Sequence, residues 1–159
     1  MPDLEEHEWM MAWVSLVHCG TYLPARLSAH LQSELEISLA EQDLLKQLGK
    51  QGGLRMSEVA ERIFLSRAGM TKMVDRLEVS GLVQRAPVDG DRRSIGLHLT
   101  QEGHRVLKRS QRALKKWIAA EFRDRMSDSE VRALGGALAS LLEGHGRWQG
   151  QRRHLASED

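Results

Sequence analysis

The sequence predicts a mainly α-helical fold carrying one small β-hairpin, and three observations lead there. Two short amphipathic segments, opened by Ser57 and Ser66, follow one another closely. A turn-rich stretch, Asp89-Gly90-Asp91-Arg92-Arg93, then sits between two short runs of strand-forming residues. On either side lie long segments with apolar residues at three- and four-residue spacing. Together they describe a winged helix-turn-helix flanked by N- and C-terminal dimerisation helices.

The first long segment carries Trp9, Trp13, Leu16, Leu23, Leu27, Leu31 and Leu35 at near-helical spacing, which predicts one long helix. Pro24 inside it lacks an amide donor and crowds the preceding turn, so a kink or break is expected between Gly20 and Leu23. Ser38-Leu39-Ala40-Glu41 is a capping box that opens a second helix, with Leu44, Leu45 and Leu48 inward and Gly49 to Gly53 ending it. Ser57 is the expected N-cap of a third helix, with Val59, Ala60 and Ile63 on one side. Ser66 opens a fourth, where Met70, Met73, Val74 and Leu77 form a single buried stripe. Gly81 stands where a left-handed cap would end it.

Strands are expected at Leu82-Val83-Gln84-Arg85 and at Ile95-Gly96-Leu97-His98-Leu99. Thr100 is the expected cap of a fifth helix running to about Arg125, with Val106, Leu107, Leu114 and Trp117 among its apolar positions. Ser127-Asp128-Ser129-Glu130 is another capping box, opening a last helix through Val131, Leu134, Leu138, Leu141 and Leu142. The layout is read as one domain over 1–159. Residues 1–36 and 101–148 supply the dimerisation helices, 38–100 the winged helix-turn-helix, and 149–159 a flexible tail.

A net charge of +1 hides a strong polarity along the chain. Residues 1–50 hold eight acids against three bases, a balance of −5. Residues 62–93 carry +3 and residues 101–125 carry +5, and it is local charge that sets the field a phosphate backbone meets. The 101–125 excess reads equally as the solvated face of a long helix. The single cysteine excludes an internal disulfide framework, and the N-terminus is acidic rather than signal-like. No apolar run approaches the ~20 residues of a membrane helix, so a soluble cytoplasmic protein without membrane contact is expected. Nucleophile-elbow, P-loop and zinc-protease patterns are absent, so no enzyme is expected. The seven histidines show no ligand spacing, and neither a metal nor a cofactor is expected.

At 100° per residue the polar face of the fourth helix carries Ala68, Thr71, Lys72, Asp75 and Arg76. Small and hydrogen-bonding groups near its start, with cations beyond, suit a helix whose first turns touch base edges. From Leu65 to Gly103 the chain reads LSRAGMTKMVDRLEVSGLVQRAPVDGDRRSIGLHLTQEG. This resembles the signature stretch of the MarR/SlyA family of bacterial transcription regulators. The shared features are a Ser-initiated recognition helix, a DRLE-x-x-GLV exit, a D-x-R wing and a closing Leu-Thr-x-x-Gly.

The resemblance implies a homodimer on double-stranded DNA at a pseudo-palindromic operator, acting as a ligand-responsive repressor. Its DNA-binding residues would be Ser66, Arg67, Thr71, Lys72 and Arg76 on the helix and Asp91, Arg92 and Arg93 on the wing. Arg93 would enter the minor groove, oriented by Asp91, while Arg92 meets phosphate. Arg76 has an alternative, pairing with Asp75, Glu78 or an acid elsewhere. A small anionic or aromatic effector would be lined by Trp9, Trp13, His18 and Arg26, with Met10 and Met11 beside them; the alternative puts Trp13 in a dimer core and Arg26 at the surface.

The peroxide-sensing branch of that family carries its reactive thiol nearer the start of the first helix than Cys19, with supporting tyrosines. Here Tyr22 stands alone, so a buried, inert Cys19 is expected, with thiol-based redox sensing as the alternative. A further alternative is a winged-helix protein–protein module that makes no use of DNA.

Overall fold

A computed structural model describes residues 5–63, 67–88 and 91–143, with backbone only at 60–63, 67 and 91–94. The chain divides into two compact units, residues 1–115 and 116–159. The first contains α1 (Glu6–Leu35), α2 (Leu39–Lys50), α3 (Met56–Ile63), α4 (Arg67–Val79), β1 (Val83–Val88), β2 (Asp91–Leu99) and most of α5 (Gln101–Arg123). The second holds the end of α5 and then α6 (Asp128–Leu142).

α1 runs as one helix through Pro24, so of the kink or break expected between Gly20 and Leu23 the break does not occur. Proline deprives the Gly20 carbonyl of its partner, but this stretch is exposed and water can replace the lost bond. Gly20 has no Cβ and nothing crowds it, which leaves room for the ring. α1 ends at Glu36, whose backbone is left-handed (φ 58°) and whose N–H donates to the Gln32 carbonyl at 3.1 Å. Ser38 then caps α2 as expected: its hydroxyl accepts from the Glu41 N–H, and the Glu41 carboxylate accepts from the Ser38 N–H at 2.7 Å. Leu44, Leu45 and Leu48 are buried, which turns the expected inner face of α2 into core.

α3 begins two residues earlier than Ser57 would set it. The Arg55 N–H donates to the Glu58 carboxylate at 2.6 Å, so Arg55 occupies the cap and Ser57 lies inside the first turn. In α4, Met70, Val74 and Leu77 are buried and Met73 half-buried, the single stripe its spacing predicts. Burying three such side chains contributes roughly 1.5–3 kcal/mol each and fixes which face of α4 turns outward.

The hairpin is longer than expected, because β1 continues through Pro87 and β2 begins at Asp91, with a register shift at Pro87/Val88. Proline is tolerated there because β1 is an edge strand. Pairing sets Val83 opposite Leu99 and Arg85 opposite Leu97. The loop after α2 adds a bridge on the other side of β2: Gly53 N–H donates to the Leu97 carbonyl at 3.0 Å, and Leu97 N–H to the Leu54 carbonyl at 2.8 Å. This approach is so close that a Cβ on Gly96 would come within 2.8 Å of the Gly53 Cα and nearer still to its carbonyl. Gly96→Ala should therefore push the loop off β2 and destabilise the chain by about 1–3 kcal/mol, read as a lower urea midpoint.

In the second unit, Ser127 caps α6 in a full capping box, its hydroxyl and N–H both donating to the Glu130 carboxylate at 2.7 Å. These two bonds hold the Glu130 carboxyl below its ordinary value. The folded form thus gains from an ionised Glu130 above the ordinary carboxylate range and loses that gain as the pH falls through the lowered value. A carboxyl NMR titration should give Glu130 a lower midpoint in the wild type than in Ser127→Ala.

Candidate nucleic-acid interface

The outward face of α4 presents Ala68, Thr71 and Lys72, all exposed, opposite the buried Met70–Val74–Leu77 stripe. Helix geometry alone brings Thr71 and Lys72 to one surface. Ser66 lies outside the described residues, as do the side chains of Arg67, Asp91, Arg92 and Arg93. The backbone of 91–93 belongs to β2, near the tip of the hairpin.

The exit from α4 is a Schellman cap. Gly81 adopts φ 71°, its N–H donates to the Glu78 carbonyl at 3.0 Å, and the Leu82 N–H reaches back to Leu77 at 2.9 Å. β1 starts two residues later, so helix and hairpin are joined almost without slack. Thr100 closes the corner from the other end. Its N–H donates to the Leu82 carbonyl at 3.1 Å, its hydroxyl donates to the Gly81 carbonyl at 2.6 Å, and the same oxygen accepts from the Gly103 N–H at 3.0 Å. A Cβ on Gly103 would collide with the Leu82 carbonyl oxygen, which explains the glycine in Leu-Thr-x-x-Gly.

Arg76, expected among the DNA contacts, is engaged elsewhere. Its Nε and Nη2 donate to the two carboxylate oxygens of Glu41 at 2.6 Å each, and Nη2 also donates to the Glu36 carbonyl at 3.0 Å. The alternative of an ion pair is the one seen, and its partner is Glu41 on α2. Asp75 and Glu78, one and two positions away on α4, do not face Arg76. They hold Arg85 of β1 instead: its Nη2 donates to Asp75 at 2.7 Å and its Nη1 to Glu78. Hydrogen bonding to Asp75 is the main cause that pushes the Arg85 guanidinium above its usual value, helped by the charge of Glu78. Sequence reasoning missed both partners, because neither Glu41 nor Arg85 has a spacing to α4 that marks contact.

The expected effector lining is not brought together. Trp9 and Trp13 share one face of α1 and are 65% and 62% exposed, whereas His18 lies on the opposite face. Trp9 and Arg26 are about 25 Å apart along the helix axis. The Arg26 guanidinium instead lies over the Tyr22 ring, 5.7 Å from its centroid. Beside it is an open concavity of about 540 Å³ lined by His18, Cys19, Thr21, Tyr22 and Leu23. Cys19 is exposed, a correction to the buried thiol expected, because α1 has no buried position before Leu27 among the described residues. No described helix is long and apolar enough to cross a membrane.

A buried-stripe helix, a tight glycine cap and a hairpin stapled to both define a winged helix-turn-helix protein. The MarR family model matches residues 37–95, and the chain belongs to the MarR family. It is 33% identical over 107 residues to the transcriptional repressor MdtR of Bacillus subtilis, covering 67% of this chain and 68% of that protein. It is 32% identical over 80 residues to the transcriptional regulator PecS of Dickeya dadantii, spanning about half (48%) of each. Among solved structures it resembles Sco3205, a MarR family transcriptional regulator from Streptomyces coelicolor in complex with DNA. The identity there is 27%, the coverage 91% of each chain and the TM-score 0.75.

Glu41 is only 5% exposed at its side chain, whereas Arg76 is half exposed. Arg76→Ala would strand a buried carboxylate and should cost about 2 kcal/mol, less than the 3–5 of a fully buried pair. Adding Glu41→Gln should recover part of that loss, since Ser38 can still donate to the amide oxygen; urea denaturation of the single and double variants checks both steps.

Proposed function

We propose that this chain is a sequence-specific, DNA-binding repressor that acts as a homodimer at a pseudo-palindromic operator and releases it on binding a small anionic or aromatic effector. One observation carries the reading. Thr71 and Lys72 stand outward on a helix whose inner face is fixed by packing, and a basic hairpin is locked beside it at the distance of a single glycine turn. Such a pair suits adjacent major and minor grooves, with the wing arginine Arg93 in the narrower one. The similarity to a relative solved on DNA supports it.

Exposed apolar side chains support the dimer. α1 carries Trp9, Met10, Trp13 and Val17, and in the second unit Ile118, Val131, Leu134 and Leu141 are exposed as well. Apolar positions left uncovered on terminal helices of one chain are what a two-fold mate would bury. The effector would meet the open concavity lined by His18, Cys19, Thr21, Tyr22 and Leu23, with the Tyr22 ring as its aromatic face.

The test is operator selection from fragmented genomic DNA, followed by binding across a salt series and sedimentation of the protein alone. A monomer, or a protein indifferent to duplex at low ionic strength, overturns the reading in favour of a protein–protein module. Lys72→Ala should flatten the salt slope of log affinity by about 0.9, the value of one phosphate contact. Arg93→Ala should weaken operator binding about tenfold with an unchanged melting temperature.

A further inference from the structure

We infer that Arg85 is a positioning residue for DNA recognition: bridging Asp75 and Glu78, it sets the angle of the wing to the recognition helix and makes no phosphate contact of its own. The inference rests on the DNA-binding reading above and deepens it. From sequence, Arg85 is one more cation of the basic middle segment, available to a phosphate. In the structure both ends of its guanidinium are occupied, Nη2 by Asp75 at 2.7 Å and Nη1 by Glu78, and its backbone N–H also donates to Glu78 at 3.3 Å. Asp75 and Glu78 are three residues apart on α4 and so share a face, which gives the guanidinium two acceptors side by side.

The position of the bridge gives it leverage. Arg85 pairs with Leu97, the residue of β2 that is itself tied to Gly53 and Leu54, so the clamp sits on the row where the hairpin is anchored. Beyond that row β1 continues to Val88 and the tip. At ~3.3 Å per residue Val88 stands about 10 Å further out, so a 10° swing at the clamp would displace it by almost 2 Å. A displacement of that size is enough to take a wing arginine out of register with its groove while α4 keeps its own contacts. The three side chains are each at least one-third exposed, so the bridge adds little to global stability. Its effect falls on geometry.

The experiment compares wild type, Arg85→Gln, Asp75→Asn/Glu78→Gln and the triple variant, all of which should melt with the wild type. Operator affinity is measured from low to moderate salt. Arg85→Gln should lose about tenfold in affinity at every salt concentration, with the slope of log affinity unchanged, whereas a phosphate contact would flatten it by about 0.9. In the background lacking both acids, Arg85→Gln should have no further effect, whereas Arg85→Lys with both acids present should keep part of the wild-type affinity. A flattened slope, an equal loss in the acid-free background, or undiminished affinity overturns the inference. Hydrogen exchange of the β1 amides, measured without DNA, separates the two readings. Exchange should quicken in Arg85→Gln, and unchanged rates refute the clamp. A wild type that ignores duplex refutes the DNA reading, while the exchange rates still decide the clamp.

Discussion

The corner formed by Gly81, Leu82, Thr100 and Gly103 is the constraint on which the rest of the first unit depends. Three elements meet there, the end of α4, the start of β1 and the first turn of α5. One threonine side chain both donates to the turn and caps the outgoing helix. Each hydrogen bond is ordinary in strength, about 1 kcal/mol net. Their arrangement fixes three directions at once, because Gly81 admits the left-handed turn and Gly103 admits the carbonyl of Leu82. The hairpin therefore leaves α4 in one direction, and whatever α4 faces, the hairpin faces beside it.

Around that corner Asp75, Arg76 and Glu78 of α4 are turned to neighbouring elements. Arg76 ties the helix inward to α2, and Asp75 and Glu78 tie it sideways to β1. Three of the four residues Asp75-Arg76-Leu77-Glu78 are thus ion-paired to other elements and the fourth is buried. The cationic count of the middle segment overstates the charge it offers to a polyanion, since Arg76 and Arg85 are already partnered. Lys72 is the exposed cation on the outward face that remains consistent with the sequence reading among the described residues.

Much of this architecture is legible in the sequence because it rests on local rules. The Ser38 and Ser127 capping boxes, the Met70–Leu77 stripe and the glycine stop at Gly81 each need only a few consecutive residues. What was not legible depends on distant partners. The Arg76–Glu41 pair spans 35 positions, and the Arg85 bridge joins a strand to a helix face, so neither leaves a periodic trace. Pro24 misled for the opposite reason: the local rule was sound, but exposure of the Gly20 carbonyl removes most of the cost that would have broken α1. The separation of the two tryptophans from Arg26 follows from the same continuous helix.

Glu36 adds a mechanical consequence. It holds a left-handed backbone conformation that costs a side-chain-bearing residue roughly 1–2 kcal/mol, and its carbonyl receives the guanidinium of Arg76. A glycine there would make the elbow between α1 and α2 compliant. With glutamate, that conformation is held against the residue's own preference. The Glu36 carbonyl thus links the end of α1 to α4 through Arg76 at the same turn where α1 gives way to α2.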